Sequence, residues 1–251
     1  MIQAMPLTAI RIVLVEPSHP GNIGAVARAM KNMALAELVL VRPKAFPHPE
    51  ATARASGADD LLGQARVVGS VVEAVADCGF VAATTSRPRD QNFRALDVHE
   101  AAQRIFEMAA RGPAAVLFGA ERTGLTNEEL ALAHLLIRIP ANPEYPSLNL
   151  AMAVQLVCYE LFRAAGSPAS ERPLSESPVP LAPGADMERF YAHLAEVMEE
   201  VDFRDRTQGG GHLMTRIRRL FQRCEMDQNE VNILRGLLTS VQSKRRPAGK
   251  S

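Results

Sequence analysis

The fold of this chain is decided by IRIVLV (10–15), followed by HPGNIGAVARAMKNM (19–33) and ELVLV (37–41). The first and third runs consist of Ile, Val and Leu with one charged residue each, and the run between them repeats alanines and larger apolar residues at helical spacing. Short strands that are apolar almost throughout are buried on both faces, and strand, helix and strand in succession form the unit of a parallel sheet. The stretch therefore predicts a parallel α/β fold.

The same alternation continues along the first two-thirds of the chain. GFVAATT (79–85), AAVLFG (114–119) and LLIRIP (135–140) predict three more buried strands. Helical patterns cover residues 70–77, 99–111, 126–133 and 150–165. Five prolines then fall between residues 168 and 183, which excludes a regular element and predicts a semi-extended linker. The sequence thus divides into an α/β domain over 1–166 and a linker over 167–186.

The remainder predicts a small all-α extension over 187–243, followed by a disordered basic tail over 244–251. Apolar residues recur at helical spacing from Met187 to Val201. HLMTRIRRLFQR (212–223) places arginines on one face and an apolar stripe on another, made of Leu213, Met214, Ile217, Leu220 and Phe221. Asp227 and Glu230 have the spacing of a capping box for a third helix, whose apolar residues are Val231, Leu234, Leu238 and Val241.

Composition excludes several protein classes. With 28 basic and 28 acidic residues and 47% hydrophobic residues, the 251-residue chain is neither mostly disordered nor fibrous. Cys78, Cys158 and Cys224 are too far apart for a disulfide framework or a metal knuckle, so we expect free buried thiols in a reducing compartment. The six histidines show no ligand spacing, so no metal is expected.

Targeting signals and charge distribution bear on location and partners. The first residues lack a basic signal-peptide region, and the most apolar later stretch, 150–162, is too short to cross a bilayer. We therefore expect a cytoplasmic protein without a membrane partner. Residues 203–251 carry 11 basic and 4 acidic side chains, which fits either a polyanionic partner or a solvated basic face.

Familiar phosphate-binding motifs are missing, since the chain has neither GxxxxGK[ST] nor GxGxxG. Gly21 and Gly24 form a GxxG at the first strand–helix turn, where backbone N–H groups at a helix N-terminus can bind an anion, but this signal is weak. The second strand ends in Arg42 and Pro43 instead of the acidic residue that binds a nicotinamide ribose. An NADP-like variant stays open.

Three segments carry more polar and turn-forming residues than connectors need: 19–33, FGAERTGLTNEEL (118–130) and IPANPEYPSLNLAMAVQ (139–155). In order and spacing they resemble the three motifs of the SPOUT superfamily of RNA methyltransferases, and within it the TrmH branch. The resemblance is strong over 8–165 and extends through the linker and the tail. It implies a C-terminal trefoil knot, a homodimer, and S-adenosylmethionine bound by the knot loops. It also implies methyl transfer to the ribose 2'-oxygen of cytidine or uridine in tRNA, at anticodon-loop position 32.

The resemblance assigns catalytic roles to five residues, namely Asn22, Arg28, Glu121, Ser147 and Asn149. Because a guanidinium stays protonated, we expect Arg28 to position the hydroxyl and to stabilise developing alkoxide charge. Glu121 is expected to orient Arg28 or a substrate group. Three of these residues also have a plainer interpretation. Arg28 fits a surface arginine, Glu121 fits a cap for the helix near Thr126, and Asn149 fits an N-cap of the following helix.

The same resemblance assigns cofactor binding to Thr85, Ser86, Gly119, Ile139, Pro146, Ser147 and Leu148. Two groups of arginines suit RNA phosphates. They are Arg87, Arg89 and Arg94 around Phe93, and Arg216, Arg219 and Arg223 in the basic tail. Two other functions stay open: an inactive RNA-binding protein of the same fold, which the intact motif residues disfavour, and a nicotinamide-dependent oxidoreductase, which the missing GxGxxG disfavours.

Overall fold

A computed structural model describes residues 5–85, 95–166, 179–203 and 213–245. Within them, seven strands form one sheet in the order β3-β2-β1-β6-β4-β7-β5, and each of the six strand pairings is parallel. The strands are β1 (Ile10–Val15), β2 (Glu37–Val41), β3 (Arg66–Val68), β4 (Phe80–Thr84), β5 (Ala95–Asp97), β6 (Ala114–Phe118) and β7 (Leu135–Arg138). The five predicted strands are confirmed. The sequence did not indicate β3 and β5, which have three residues each and largely lack buried side chains.

Helices cover both faces of the sheet. They are α1 (Met5–Thr8), α2 (Pro20–Asn32), α3 (Pro49–Ala55), α4 (Asp59–Gln64), α5 (Val71–Ala74), α6 (Val98–Ala109), α7 (Asn127–Leu130) and α8 (Leu150–Ala165). Alternate residues of β1 enter different cores: Ile12 packs with α2, α6 and α8, and Val13 with α5 and α7. The helices predicted over 70–77 and 126–133 are four residues long, so those predictions were too long. Helices α3 and α4 were not predicted.

Arg11 places a charge inside β1, yet its side chain is only 5% exposed. Its guanidinium donates to both carboxylate oxygens of Asp77, at 2.6 and 2.9 Å, and to Glu37 at 2.6 Å. It also donates to the carbonyl of Ala74. A buried charge is tolerated when it is paired and hydrogen-bonded in this way, and Arg11 in turn lowers the pKa of the Asp77 carboxyl.

Three further helices follow: α9 (Gly184–Glu200), α10 (Leu213–Gln222) and α11 (Gln228–Arg245). They share a small core of Ala182, Phe190, Tyr191, Met226 and Val231. The predicted capping box is confirmed, because Asp227 accepts from the Glu230 N–H and Glu230 accepts from the Asp227 N–H, both at 2.9 Å. The predicted apolar stripes were wrong at Leu220, which is 50% exposed, and at Val241, which is also exposed.

The chain just before α9 is attached to the α/β domain. Leu181 is buried in the larger core, and the N–H of Ala182 donates to the carbonyl of Met226 at 2.9 Å. The N–H of Gly184 donates to the carbonyl of Cys78 at 3.0 Å. Helix α9 also begins three residues before the predicted start of the helical extension at 187. The expectation of a semi-extended linker was therefore wrong for residues 184–186, which belong to α9, while residues 179–183 contain no helix and 167–178 lie outside the described residues.

The cysteines are free, as expected, and Cys78 and Cys158 are buried. Burial raises the pKa of each of these two thiols to about 12, so they are unreactive at neutral pH. Cys224 is exposed, so its predicted burial was wrong. In the described parts of the chain, no cluster of His, Cys, Asp or Glu is arranged to hold a metal ion, and no helix is long and apolar enough to span a membrane.

Candidate active site

A cavity of about 310 Å3 lies at the carboxyl ends of β4, β6 and β7. This is the edge where parallel α/β sheets bind ligands. Six of the seven residues predicted to bind the cofactor line it: Thr85, Gly119, Ile139, Pro146, Ser147 and Leu148. The seventh, Ser86, lies outside the described residues. The structure thus brings together residues from three segments that are well separated in the sequence.

One wall of the cavity is a tight turn after β6. A side chain at Gly119 would place its Cβ 2.3 Å from backbone atoms of Gly124 and Leu125, so the turn requires a glycine there. Gly124 has φ 69°, the left-handed region that favours glycine, and its N–H donates to the carbonyl of Ala120 at 2.8 Å. The backbone can therefore fold closely around a ligand at this wall.

The cap of α7 tests one interpretation of Glu121. The Thr126 hydroxyl accepts from the Glu129 N–H at 3.2 Å, and the Glu129 carboxylate accepts from the Thr126 N–H at 2.8 Å. These two residues form a complete capping box. Glu121 takes no part in it, so the interpretation of Glu121 as the cap of this helix is wrong.

The opposite wall is the loop between β7 and α8. The carbonyl of Asn142 accepts from the Tyr145 N–H at 2.9 Å, and its side chain accepts from the Glu144 N–H at 3.0 Å, which fixes a turn. Asn149 ends the loop as the N-cap of α8, accepting from the Ala151 N–H at 2.9 Å. The predicted N-cap is confirmed.

A chain of hydrogen bonds joins the three motif segments beside the cavity. The Glu121 carboxylate accepts from the Ser18 N–H at 3.0 Å, from the Ser18 hydroxyl at 2.9 Å and from the Asn22 side chain at 3.0 Å. The Asn22 side-chain oxygen accepts from the Asn149 amide at 3.1 Å. Asn149 therefore caps α8 and also bonds to α2. Ser18 was not predicted; it lies one residue before the first segment.

Glu121 is held in its ionised form. Partial burial raises its pKa, but hydrogen bonds from the Ser18 N–H and the Asn22 amide outweigh this, and the net effect lowers the pKa of the carboxyl. The carboxylate also lies at the N-terminus of α2, where the helix dipole favours a negative charge. At neutral pH Glu121 is an anion whose oxygens are already occupied, so it is a poor proton acceptor.

Arg28 is not part of this network. It is exposed on α2, six residues after Asn22, which corresponds to about 9 Å along the helix axis and about 120° around it. Its guanidinium makes no hydrogen bond or ion pair with any described residue. The expectation that Glu121 orients Arg28 is therefore not met within this chain. The GxxG glycines lie inside α2, and a Cβ at Gly24 would be 2.0 Å from the Ala51 carbonyl, so Gly24 allows α2 to pack closely on α3.

The predicted RNA-binding arginines divide into two groups. Arg87, Arg89 and Arg94 lie outside the described residues. Arg216 on α10 and Arg223 just after it are exposed, and Arg219 on α10 is half-buried. The end of α10 is attached beside α7, because the Gln222 side chain donates to the Ala131 carbonyl at 2.6 Å, and Arg104 is paired with Glu225. No sequence pattern indicated this attachment.

A second, open groove of about 860 Å3 runs between α2, α3 and α8. Ala25, Asn22 and Asn149 line it together with the exposed side chains of Met152 and Leu156. The groove therefore reaches the hydrogen-bonded network from the side opposite to Glu121.

Two family models match the chain, and together they span most of it. Residues 9–159 match the SpoU rRNA Methylase family, and residues 185–250 match the C-terminal domain of the tRNA methyltransferase TrmJ. The tRNA (cytidine/uridine-2'-O-)-methyltransferase TrmJ of Pectobacterium atrosepticum is 47% identical over 242 residues, covering 94% of this chain and 98% of the relative. The protein of the same name from Photorhabdus laumondii is 47% identical over 238 residues, with the same coverage.

Solved structures agree with the family models. The crystal structure of TrmJ from Z. mobilis has a TM-score of 0.79 and 38% identity, covering 92% of this chain and 98% of that one. A probable methylase family protein from Haemophilus influenzae has a TM-score of 0.63 and 40% identity, with 95% and 97% coverage. The chain belongs to the SpoU methylase family, and within it to the TrmJ group.

Proposed function

We propose that this protein transfers a methyl group from S-adenosylmethionine to the ribose 2'-oxygen of cytidine or uridine in tRNA. The observation that carries the proposal is a cavity lined by the second and third motif segments, with Asn22 of the first segment hydrogen-bonded to Glu121 and Asn149 beside it. The TrmJ relatives, which match nearly the whole chain, support the same reaction.

The cavity suits the proposed cofactor. Its volume lies at the lower end of the range for small-molecule sites. Apolar side chains such as Ile137 and Ile139 suit an adenine ring, and the close backbone at Gly119 suits the polar parts of the ligand. When bound, the sulfonium supplies an activated methyl group. The ionised Glu121 carboxylate at the cavity favours a cationic ligand over its neutral product.

The residues of the chain would contribute orientation and electrostatics. Asn22 and Asn149 hold the loop 139–149 against α2, which keeps Ser147 at the cavity. Arg28 would donate to the 2'-oxygen and stabilise the charge that develops as the hydroxyl gives its proton to solvent water. Arg216, Arg219 and Arg223 bind tRNA phosphates, which adds affinity without choosing the base, and Arg87, Arg89 and Arg94 contact the loop that is methylated.

The assembly belongs to the same proposal. A second copy would cover the exposed apolar side chains of Met152, Leu156 and Tyr159 on α8 beside the groove, giving a homodimer. We divide the chain into a methyltransferase domain over 1–166 with a C-terminal trefoil knot, a linker, and a helical extension that begins with α9 at Gly184 and ends in a basic tail. The two family models, which end at 159 and begin at 185, support this division. The protein would act in the cytoplasm, where tRNA is found.

Methyl transfer from labelled S-adenosylmethionine to unmodified tRNA, followed by mapping of 2'-O-methyl groups, tests the reaction and its target. We expect a single modified ribose at anticodon-loop position 32. S-adenosylmethionine should raise the melting temperature, whereas NADH and NADPH should not. A protein that binds S-adenosylmethionine and tRNA without transfer would be the inactive RNA-binding alternative, and stabilisation by the nicotinamides alone would favour the oxidoreductase.

Arg28→Ala tests the assignment of the catalytic arginine. Turnover should fall by roughly two to four orders of magnitude, the range for one positioned catalytic group, while S-adenosylmethionine affinity stays unchanged. Arg28→Lys should not rescue fully, because an ammonium lacks the planar fork. Arg66→Ala, which removes another exposed arginine at the far edge of the sheet, is the matched control and should keep full activity. Activity of Arg28→Ala within a few-fold of wild type would refute the assignment.

A further inference from the structure

Tyr145 is an exposed aromatic residue at the edge of the cofactor cavity. Its side chain is 79% exposed, more than that of any other large hydrophobic residue in the described parts of the chain. Its hydroxyl makes no hydrogen bond to a described residue. Exposure of one tyrosine is ordinary by itself, but an uncovered ring beside a ligand cavity is free to stack on what enters the cavity.

The ring is carried on a turn that is already ordered. Asn142 fixes the turn through its carbonyl, which accepts from the Tyr145 N–H, and through its side chain, which accepts from the Glu144 N–H. Pro143 and Pro146 restrict the backbone on both sides. Little conformational entropy would therefore be lost when a ligand contacts the ring.

The position of the turn limits what that ligand can be. Pro146 and Ser147, the next two residues, line the cavity, so Tyr145 lies at its mouth. A ribose whose 2'-oxygen reaches into the cavity carries its base on the adjacent carbon. That base must therefore lie at the rim, of which the loop 139–149 forms one wall.

We propose that Tyr145 stacks on the base of the nucleotide whose ribose is methylated. This inference rests on the proposed function and adds a binding residue to the same site. A loop nucleotide must leave its stack for the ribose to enter the cavity, and an aromatic face replaces the lost stacking.

Stacking would also allow one site to accept both cytidine and uridine. Cytidine and uridine differ at the edge of the base and have similar faces, and stacking contacts only the face. A residue that read the edge by hydrogen bonds would separate the two bases. A Tyr145 platform holds either pyrimidine in the same place.

Steady-state kinetics of the full-length protein with unmodified tRNA provide the first test. Removing one base–aromatic stack weakens binding by about 5- to 150-fold, so Tyr145→Ala should raise the KM for tRNA within that range and leave the Kd for S-adenosylmethionine within about twofold. Tyr145→Phe keeps the ring and should stay within about threefold of wild type. Phe203→Ala removes an aromatic residue that is 57% exposed after α9 and serves as the matched control, with no expected change in KM.

A tRNA with pyrrolocytidine at the methylated position gives a direct signal. Its fluorescence should be quenched on binding to wild type and Tyr145→Phe, and not on binding to Tyr145→Ala at saturating protein. An unchanged KM for Tyr145→Ala, equal quenching by all three proteins, or a loss in Tyr145→Phe as large as in Tyr145→Ala would overturn the proposal. A wild-type protein that transfers no methyl group to any tRNA would overturn the proposed function itself, and the stacking role with it.

Discussion

Replacing Glu121 with glutamine tests the network that joins the three motif segments. Glutamine has the same shape, but one carboxylate oxygen becomes an NH2 group. Because the carboxylate accepts from the Ser18 N–H, the Ser18 hydroxyl and the Asn22 amide, an amide cannot accept all three. One donor must then lose its partner or face another donor.

The expected loss follows from these contacts. Hydrogen bonds to a charged group contribute about 1.5–3 kcal/mol each, but Glu121 is only half-buried and water can replace part of the loss. We expect Glu121→Gln to lower the free energy of unfolding by about 1–2 kcal/mol at pH 7. Because Asn22 also loses its anchor, turnover should fall by about tenfold or more, since small displacements of positioning groups are costly.

The pH dependence gives an independent check. The folded pKa of Glu121 is lowered from its ordinary value of 4.5, so its ionisation stabilises the protein above pH 4.5, and this contribution is lost as the pH falls through the folded pKa. The difference between wild type and Glu121→Gln in urea unfolding should therefore be constant near neutrality and shrink below about pH 4.5. Glu128→Gln, an exposed residue on α7 with no partner in the described structure, makes the same charge change as a control. Equal stability of the two variants at pH 7 would refute the reasoning.

Four further predictions follow from particular contacts. Gly119→Ala should abolish S-adenosylmethionine binding in calorimetry, because its Cβ clashes within the turn, whereas Gly63→Ala, which meets open space in α4, should raise the free energy of unfolding by about 0.5–1 kcal/mol. Arg11→Ala should lower that free energy in urea unfolding by about 3 kcal/mol or more, because it leaves a cavity and breaks a buried ion-pair network. The double variant Arg216→Gln/Arg223→Gln should weaken tRNA binding and reduce the slope of log K against log salt by about 0.7–0.9 per lost phosphate contact; an unchanged slope would mean a solvated basic face. A plot of kcat against pH should show no titration with a pKa between 6 and 8, because we infer that the reaction uses no general base in that range. Such a titration in the initial rates would contradict this inference.

The sequence predicted the strands whose side chains are buried, but it did not predict the short edge strands, which are recognised only by their hydrogen bonds to a neighbouring strand. Strands β1 and β6 are buried at every residue, so their apolar runs alone identify them. Strands β3 and β5 occupy the two edges of the sheet, where one neighbour is enough, and their short sequences carry little apolar signal. The position of Leu181 in the main core was equally hidden, because a single apolar residue among prolines has no period.

The sequence predicted which residues belong to the site, but it did not predict how they are arranged. The resemblance identified Asn22, Glu121 and Asn149, but nothing in the sequence indicates that residues up to 127 positions apart form one hydrogen-bonded chain. Ser18 contributes a backbone N–H to that chain, and any residue except proline has one, so no sequence pattern could reveal it. For Arg28 the resemblance predicted a catalytic role, whereas the structure places it on α2 away from the network.

The ionisable groups at the cavity restrict how the reaction can proceed. Among the described residues that line it, only Glu121 and Arg122 carry ionisable side chains. Glu121 has a lowered pKa and filled acceptor sites, and the guanidinium of Arg122 carries only donors, so neither side chain is suited to accept a proton from the substrate. General base catalysis works best with a group whose pKa lies near the working pH, and no described residue of the cavity provides one. In the proposed reaction the donor carries a strongly activated methyl group, which lowers the demand on such a base, and the proton of the 2'-hydroxyl would pass to solvent water as the methyl group is transferred. If the proposed reaction holds, the network of Asn22, Glu121 and Asn149 would serve to place the hydroxyl, the methyl group and the stabilising charges in line, and the rate should depend on that placement more than on any titrating side chain.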